Sequence, residues 1–147
     1  MTPEELIKTI YLGDRGCLGI DIHFSGRIIK LHIDSISRVR SPRGCWENYV
    51  GEDIENGYIV FSGVKSYSIA PLGAFADDFI DNFTIKNTEY DSSGVIIYTF
   101  SFEVGYSTNI ATIENTTTYT PKTMEIEIKA RELWLEDPRK PYIKIVD

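Results

Sequence analysis

The sequence predicts a mainly β fold of the α+β class, namely an antiparallel β-sandwich or partly open barrel of about seven to nine strands with one N-terminal helix packed on it. Apolar residues alternate with polar ones along most of the chain, which is the pattern of half-buried strands. Clusters of Gly, Pro, Ser and Asn separate these segments. Helical spacing of apolar residues is clear in the first dozen residues.

The first residues predict the helix. Thr2 can cap it, Pro3 suits the first helical position, and Glu5 completes a capping box with Thr2. Gly13 is a natural stop, so we expect about three turns. The apolar stripe that we expect to lie on the sheet consists of Leu6, Ile7, Ile10 and Tyr11.

A hairpin over residues 17–33 is the best-defined part of the sheet. Ser25 and Gly26 form a two-residue connection, with Gly tolerating positive φ. This connection predicts that Asp21 lies opposite Lys30 and that Phe24 faces Arg27. The residues that we expect to face the core are Leu18, Ile20, Ile22, Ile29, Leu31 and Ile33.

The middle of the chain predicts further strands. The continuous apolar run 58–61 is typical of a central strand buried on both faces, and a strand over 64–69 follows the turn or bulge at Ser62-Gly63. A second hairpin turns at residues 91–94, with Gly94 at the positive-φ position. Its alternation places four side chains on one face: Phe83, Ile85, Phe100 and Phe102.

The last third of the sequence is less regular. Residues 105–121 are polar and rich in Thr and Asn, and we expect a long loop that is functional or mobile. The apolar parity shifts between Ala130 and Leu133, which predicts a β-bulge near residues 131–132. Residues 142–146 predict a final edge strand. The pattern does not decide whether Trp134 is core or exposed.

Composition limits the class of protein. A length of 147 residues fits one domain, so we expect residues 1–147 to form a single domain. The sequence has no apolar run long enough for a transmembrane helix and no signal peptide. Two Cys are too few for a disulfide framework. We therefore expect a cytoplasmic protein with reduced thiols and no membrane association.

The charge is acidic and concentrated in the middle of the chain. The net charge is −7, and residues 51–100 hold two lysines against eight Asp and Glu, a net charge of −6. This balance argues against nucleic-acid binding and fits a basic protein partner, although solubility alone explains it equally well. The candidate partner-binding residues are Glu52, Asp53, Glu55, Asp77, Asp78 and Asp81.

A second candidate site is a basic and aromatic patch. It combines a guanidinium cluster, able to bind a phosphate or carboxylate, with rings on which a ligand could stack. Its residues are Arg38, Arg40, Arg43, Trp46 and Tyr49. The alternative is that these cations pair with the acidic connector at 52–55.

A third hypothesis is a thiol-dependent enzyme. The predicted register places Cys17 opposite Asp34 with His32 on the diagonal, as nucleophile, base and orienter. A sheet face lacks the amides that stabilise an oxyanion, so we expect no catalytic residue and no enzyme. The two histidines lie about 13 Å apart along the sheet. Because phosphate-binding, dinucleotide and zinc motifs are also missing from the sequence, we expect no metal and no cofactor.

A family resemblance favours a binding role. Residues 57–64 (Gly-Tyr-Ile-Val-Phe-Ser-Gly-Val), the segment 67–73 and the segment 77–80 resemble small bacterial families of the toxin-immunity type. The resemblance covers roughly residues 5–90 and carries over no catalytic residue. It implies a cytosolic immunity protein that neutralises a basic toxin, such as a nuclease, by occlusion. The alternative is a carbohydrate or small-molecule binding β-domain.

Overall fold

The computed structural model describes residues 1–73, 79–113 and 116–147, without the side chains of residues 107–113 and 116–121. The described residues form one short helix and nine strands, so the predicted mainly β fold with an N-terminal helix is confirmed. In chain order the elements are α1 (Pro3–Lys8), β1 (Ile10–Tyr11), β2 (Cys17–His23), β3 (Ile28–Arg38), β4 (Ile54–Ser62), β5 (Ser66–Ala70), β6 (Ile80–Tyr90), β7 (Ile96–Ile113), β8 (Thr116–Ala130) and β9 (Glu132–Glu136). No helix within the described ranges has the length and hydropathy needed to cross a bilayer.

The strands form two antiparallel sheets. The order in the first sheet is β1-β3-β4-β9, with β2 also paired to β3, and the order in the second is β5-β8-β7-β6. Phe61 of the first sheet packs its ring against Phe100 and Phe102 of the second, at centroid distances of 5.1 and 6.3 Å. The core therefore lies between the sheets, and Leu6 of α1 belongs to it.

The capping box that starts α1 is confirmed. The Thr2 hydroxyl accepts from the Glu5 N–H at 3.3 Å, and the Glu5 carboxylate accepts from the Thr2 N–H at 2.7 Å. The predicted length is wrong, because the helix ends at Lys8. Residues 10–11 form β1 instead, where a β-branched and an aromatic residue gain ladder hydrogen bonds with β3.

The first hairpin has the predicted central register. Ile22 lies opposite Ile29, and Asp21 lies opposite Lys30. Arg27, however, and not Gly26, has the positive φ, at 50°. The turn is therefore longer than predicted, because a residue in the left-handed region follows the two central residues and β2 pairs with β3 only from His23 onward. Phe24 and Arg27 do not continue the strand ladder, although the Arg27 N–H donates to the Phe24 carbonyl across the turn at 3.2 Å.

The start of the hairpin departs from the prediction. A bulge between Cys17 and Gly19 adds a residue to β2, which turns Leu18 outward and leaves it 54% exposed. The prediction that Leu18 faces the core is therefore wrong. The same bulge places Cys17 opposite Ile33 and not opposite Asp34.

The central strand and the second hairpin are as predicted. β4 lies between β3 and β9. Its side chains are buried on both faces of the sheet, as the consecutive residues Ile59, Val60 and Phe61 show. Ile85 of β6 lies opposite Phe100 of β7, and Gly94 has a φ of 78°. Phe83 and Ile85 pack against the core that contains Phe100.

The parity shift after Ala130 marks a change of sheet, so the predicted bulge is wrong. β8 ends at Ala130 in the second sheet, and β9 begins at Glu132 in the first sheet. Leu133 then lies opposite Phe61, on the face that points into the core. When the chain crosses from one sheet to the facing sheet, the side chains that point into the core must leave the strand on its opposite face. The core-facing positions therefore shift by one residue along the sequence, as they do at a bulge.

The last segment is not an edge strand. Within the described residues it meets the sheet through a single bridge, in which Leu135 and Ile145 exchange hydrogen bonds at 2.9 and 3.0 Å. Trp134 lies under this segment, 6% exposed, with the Lys144 ammonium 3.8 Å from its ring centre. Its indole N–H donates to the Glu136 carboxylate at 3.2 Å.

The predicted long loop 105–121 is a pair of strands. β7 and β8 remain paired as far as Ile113 and Thr116, whereas the described pairing of the outer strands β6 and β5 ends at Val104 and Glu125. Thr has a high strand propensity, so a polar segment rich in Thr is compatible with a strand. A polar composition therefore did not indicate a loop.

Candidate functional site

Three carboxylates lie side by side on the outer face of the second sheet. Asp81 of β6 is directly opposite Glu103 of β7, and Glu103 is directly opposite Glu125 of β8. We call these three residues the acidic row. Side chains in such positions have Cβ atoms about 5 Å apart, and like charges there destabilise the sheet.

The alternation of the strands places the acidic row. Each carboxylate follows or precedes a buried apolar residue of the same strand: Ile80, Val104 and Met124. A bulge after Asp81 adds Asn82, with a φ of 51°. The Asn82 side-chain amide donates to the Glu103 carboxylate at 2.5 Å, and its main-chain N–H donates to the Asp81 carboxylate at 2.8 Å.

The row keeps most of its negative charge. The Lys86 ammonium pairs with Glu125, and with the Glu127 carboxylate at 2.6 Å. Hydrogen bonds to these two carboxylates raise the pKa of Lys86, and the bond from Lys86 lowers the pKa of Glu125. In the part of the chain that the structure describes, neither Asp81 nor Glu103 has a salt-bridge partner.

The acidic connector at 52–55 is used within the fold. It is a turn that leads into β4. The Asp53 carboxylate accepts from the main-chain N–H groups of Arg38, at 2.8 Å, and Val50, at 3.1 Å. Glu52 pairs with Arg40, whereas Glu55 is exposed at the start of β4. Asp77 and Asp78 lie outside the described residues.

The structure divides the basic and aromatic patch. Arg38 is 2% exposed, and its guanidinium donates to the Thr9 hydroxyl at 3.1 Å and to the main-chain oxygen of Asp147 at 2.5 Å. Burial lowers the pKa of this guanidinium. Arg40 binds Glu52, as the alternative interpretation expected, while Arg43 is exposed and 3.8 Å from Glu47.

The aromatic residues of the patch pack against one another. The Trp46 ring stacks on Tyr11 at 5.1 Å and meets the edge of Tyr49 at 5.5 Å. The Arg15 guanidinium lies 5.5 Å from the Tyr49 ring centre. The indole nitrogen of Trp46 is buried without a hydrogen-bond partner among the described residues. The Trp46 ring thus packs against rings of the protein itself, whereas Tyr49 remains 65% exposed.

The thiol site does not assemble as predicted. Cys17 is displaced by the bulge, and burial raises the pKa of its thiol, which disfavours the thiolate. The His32 ring stacks on Tyr58 at 4.7 Å, and Asp34 accepts from the neighbouring Ser35 N–H at 2.6 Å. Among the described residues, no three His, Cys, Asp or Glu side chains come together in a way that could hold a metal ion.

Two members of the acidic row, Glu103 and Glu125, were missed in the sequence. Both stand in alternating segments, where a charged residue on the polar face looks ordinary. The signal that joins them to Asp81 is the register of three strands, whereas the sequence predicts only that β6 and β7 pair and does not fix their register. The β7–β8 pairing could not be expected from a segment that resembled a loop.

The fold and surface define the class as a two-sheet antiparallel β-protein with an acidic outer face. The chain belongs to DUF6258, a family of unknown function that matches residues 1–147. The searches for similar curated proteins and for similar solved structures found no match.

Proposed function

We propose that this chain is a cytoplasmic binding protein that uses the acidic row to contact a basic protein partner. The observation that carries the proposal is the pair Asp81 and Glu103, which oppose each other across neighbouring strands on an exposed face. Opposed like charges cost stability in the free protein. A partner that supplies Lys or Arg side chains relieves this repulsion and gains the interaction.

The charge distribution supports the same partner chemistry. The net charge of the chain is −7, and a complementary basic surface would be attracted before contact. Such steering raises the association rate and makes it dependent on salt.

The particular form that we propose is an immunity protein that blocks a basic toxin, such as a nuclease, by occlusion. A nuclease must carry positive charge where it binds phosphates. An acidic sheet face can cover such a site without any catalytic group of its own. This form rests on the resemblance of residues 57–80 and on charge complementarity.

The test first screens the products of the neighbouring genes for a basic protein that binds the purified chain. Association is followed by surface plasmon resonance between about 0.05 and 0.5 M NaCl, where screening changes strongly. The triple variant Asp81→Asn, Glu103→Gln, Glu125→Gln should associate about tenfold more slowly at low salt, with a smaller salt dependence. It should also protect less well in an assay of the toxin's activity.

A matched control has the same change in net charge on other surfaces. It carries Asp21→Asn, Glu47→Gln and Glu132→Gln, and these residues are exposed and lie outside the second sheet. The proposal requires the control to keep most of the wild-type association rate. Equal rates and salt slopes for the two triple variants would contradict a role of the acidic row.

A further inference from the structure

A basic cleft lies where the β2–β3 turn meets the connection between β4 and β5. Its volume is about 370 Å³, which is in the range of small-molecule sites. Ile22 and Ile29 form its apolar floor. The two segments are joined at this place by a hydrogen bond from the Val64 N–H to the Arg27 carbonyl, at 3.0 Å.

The charge of the cleft is opposite to that of the whole chain. Three of the described residues that line it are His23, Arg27 and Lys65, and no acidic residue is among the described ones. The chain as a whole has 22 Asp and Glu against 15 Lys and Arg. A cationic cleft attracts an anion locally, although the net negative charge of the chain repels anions from the rest of its surface.

The polar side chains of the cleft take little part in the fold. Among the described residues, the side chains of His23 and Arg27 have neither a hydrogen-bond nor a salt-bridge partner. Lys65 is 3.9 Å from Asp91, and Asp91 is already bound by Arg131 at 2.9 Å. The cleft therefore offers charged donors that the native structure leaves available.

Two aromatic rings border the same cleft. Phe24 is 79% exposed and Tyr67 is 40% exposed. Large exposed rings at a concave site are typical of ligand-binding surfaces. They would contact a planar group attached to the anion.

We propose that this cleft binds a small phosphate monoester that carries an aromatic ring. Arg27 provides the planar fork that binds two phosphate oxygens, and Lys65 and His23 supply further donors. Phe24 and Tyr67 pack against the ring. The site is separate from the acidic row, which lies on the outer face of the second sheet.

The test uses phenyl phosphate as the probe, titrated by calorimetry and by backbone amide NMR. We expect saturable binding, with shifts centred on residues 22–29 and 64–67. Inorganic phosphate and phenol, each with half of the recognised chemistry, should bind at least about tenfold more weakly. Adenosine 5′-monophosphate distinguishes two classes of natural ligand. If it binds more tightly than phenyl phosphate, the ligand is a nucleotide, and if it binds more weakly, the ligand is an aryl phosphate.

The decisive variant is Arg27→Gly. It removes the guanidinium and places Gly at a φ of 50°, a conformation that Gly adopts without strain, so the fold should be kept or stabilised. Phenyl phosphate affinity should fall at least about tenfold. Arg43→Gln removes one exposed cation elsewhere and should leave the affinity unchanged. Absence of phenyl phosphate binding, or equal affinity in the wild type and Arg27→Gly, overturns the proposal.

Discussion

The Arg38 guanidinium donates to the Thr9 hydroxyl at 3.1 Å, so a side chain of β3 holds the residue that ends α1. The same group donates to the main-chain oxygen of Asp147. Burying a guanidinium is costly unless its donors are satisfied. Arg38 therefore acts as a structural junction between α1, β3 and the last described residue, and it is not available as part of an open ligand patch.

Replacing this junction should destabilise the protein. We expect Arg38→Met to lower the free energy of unfolding by about 2 kcal/mol, because it leaves buried acceptors without donors. Arg38→Lys keeps the charge but cannot reach both acceptors, so it should lower the free energy of unfolding by less than Arg38→Met does. Urea denaturation measures both. The control Arg43→Met removes an exposed guanidinium and should change stability by less than about 0.5 kcal/mol. Equal effects at the two positions would contradict a structural role for Arg38.

Much of the sheet could be predicted because alternation reports directly which side chains share a face. The pairs Ile20–Leu31 and Ile22–Ile29 follow from a turn position and a period of two. Alternation fails where one residue is added or where the chain changes sheets, because both events shift the parity by one. Leu18 and Leu133 show the two cases: a bulge in the first and a change of sheet in the second.

The change of sheet has a local cause that the sequence shows only faintly. Gly63 has a φ of 60°, and a Cβ at this position would lie 3.0 Å from the Cβ of Arg131. Each of these residues lies where the chain passes between the two sheets. A glycine is thus needed where the two crossings come close, but a lone Gly in a sequence does not reveal what approaches it.

The candidate site was less predictable than the fold. Charge density in residues 51–100 suggested an acidic surface, and Asp81 proved to be part of one. Asp53, from the same segment, instead satisfies two main-chain N–H groups. Sequence gives the charge of a segment, whereas the number of its carboxylates that remain on the surface depends on which hydrogen-bond donors the fold brings to them.

The pH dependence of stability should report on Asp137. This residue is 3% exposed, and its carboxylate accepts from the Arg139 guanidinium and from the Arg139 N–H, each at 2.9 Å. The side-chain hydrogen bond from Arg139 is the main cause that holds the pKa of Asp137 below its usual value. A carboxyl group with a lowered pKa in the folded state contributes stability above its unfolded pKa of about 3.9. That contribution is lost as the pH falls through the folded-state value.

Asp137→Asn should therefore destabilise the protein at pH 7, and its difference from the wild type should shrink as the pH falls below about 4. Urea denaturation at a series of pH values from 7 downward measures the difference. Arg139→Gln keeps the carboxylate but removes its cation, so it should reproduce much of the loss. A difference between Asp137→Asn and the wild type that is constant over this range would contradict the assignment.

The repulsion within the acidic row can be measured without a partner. Glu103→Gln removes one of two opposed charges and retains an oxygen that can accept from Asn82. We expect the free energy of unfolding to rise by about 0.5 kcal/mol at low salt, because like charges directly opposite destabilise a sheet. The gain should disappear near 1 M NaCl, where charges are screened within about 3 Å. On a background of Asp81→Asn the gain should be smaller, since the opposing charge is already absent. Glu89→Gln is the matched control, because Glu89 pairs with Lys129 at 3.1 Å on the same sheet, and its neutralisation should give no gain. If both Gln variants were equally stabilised, the effect would come from the net charge of the chain and not from the opposed pair.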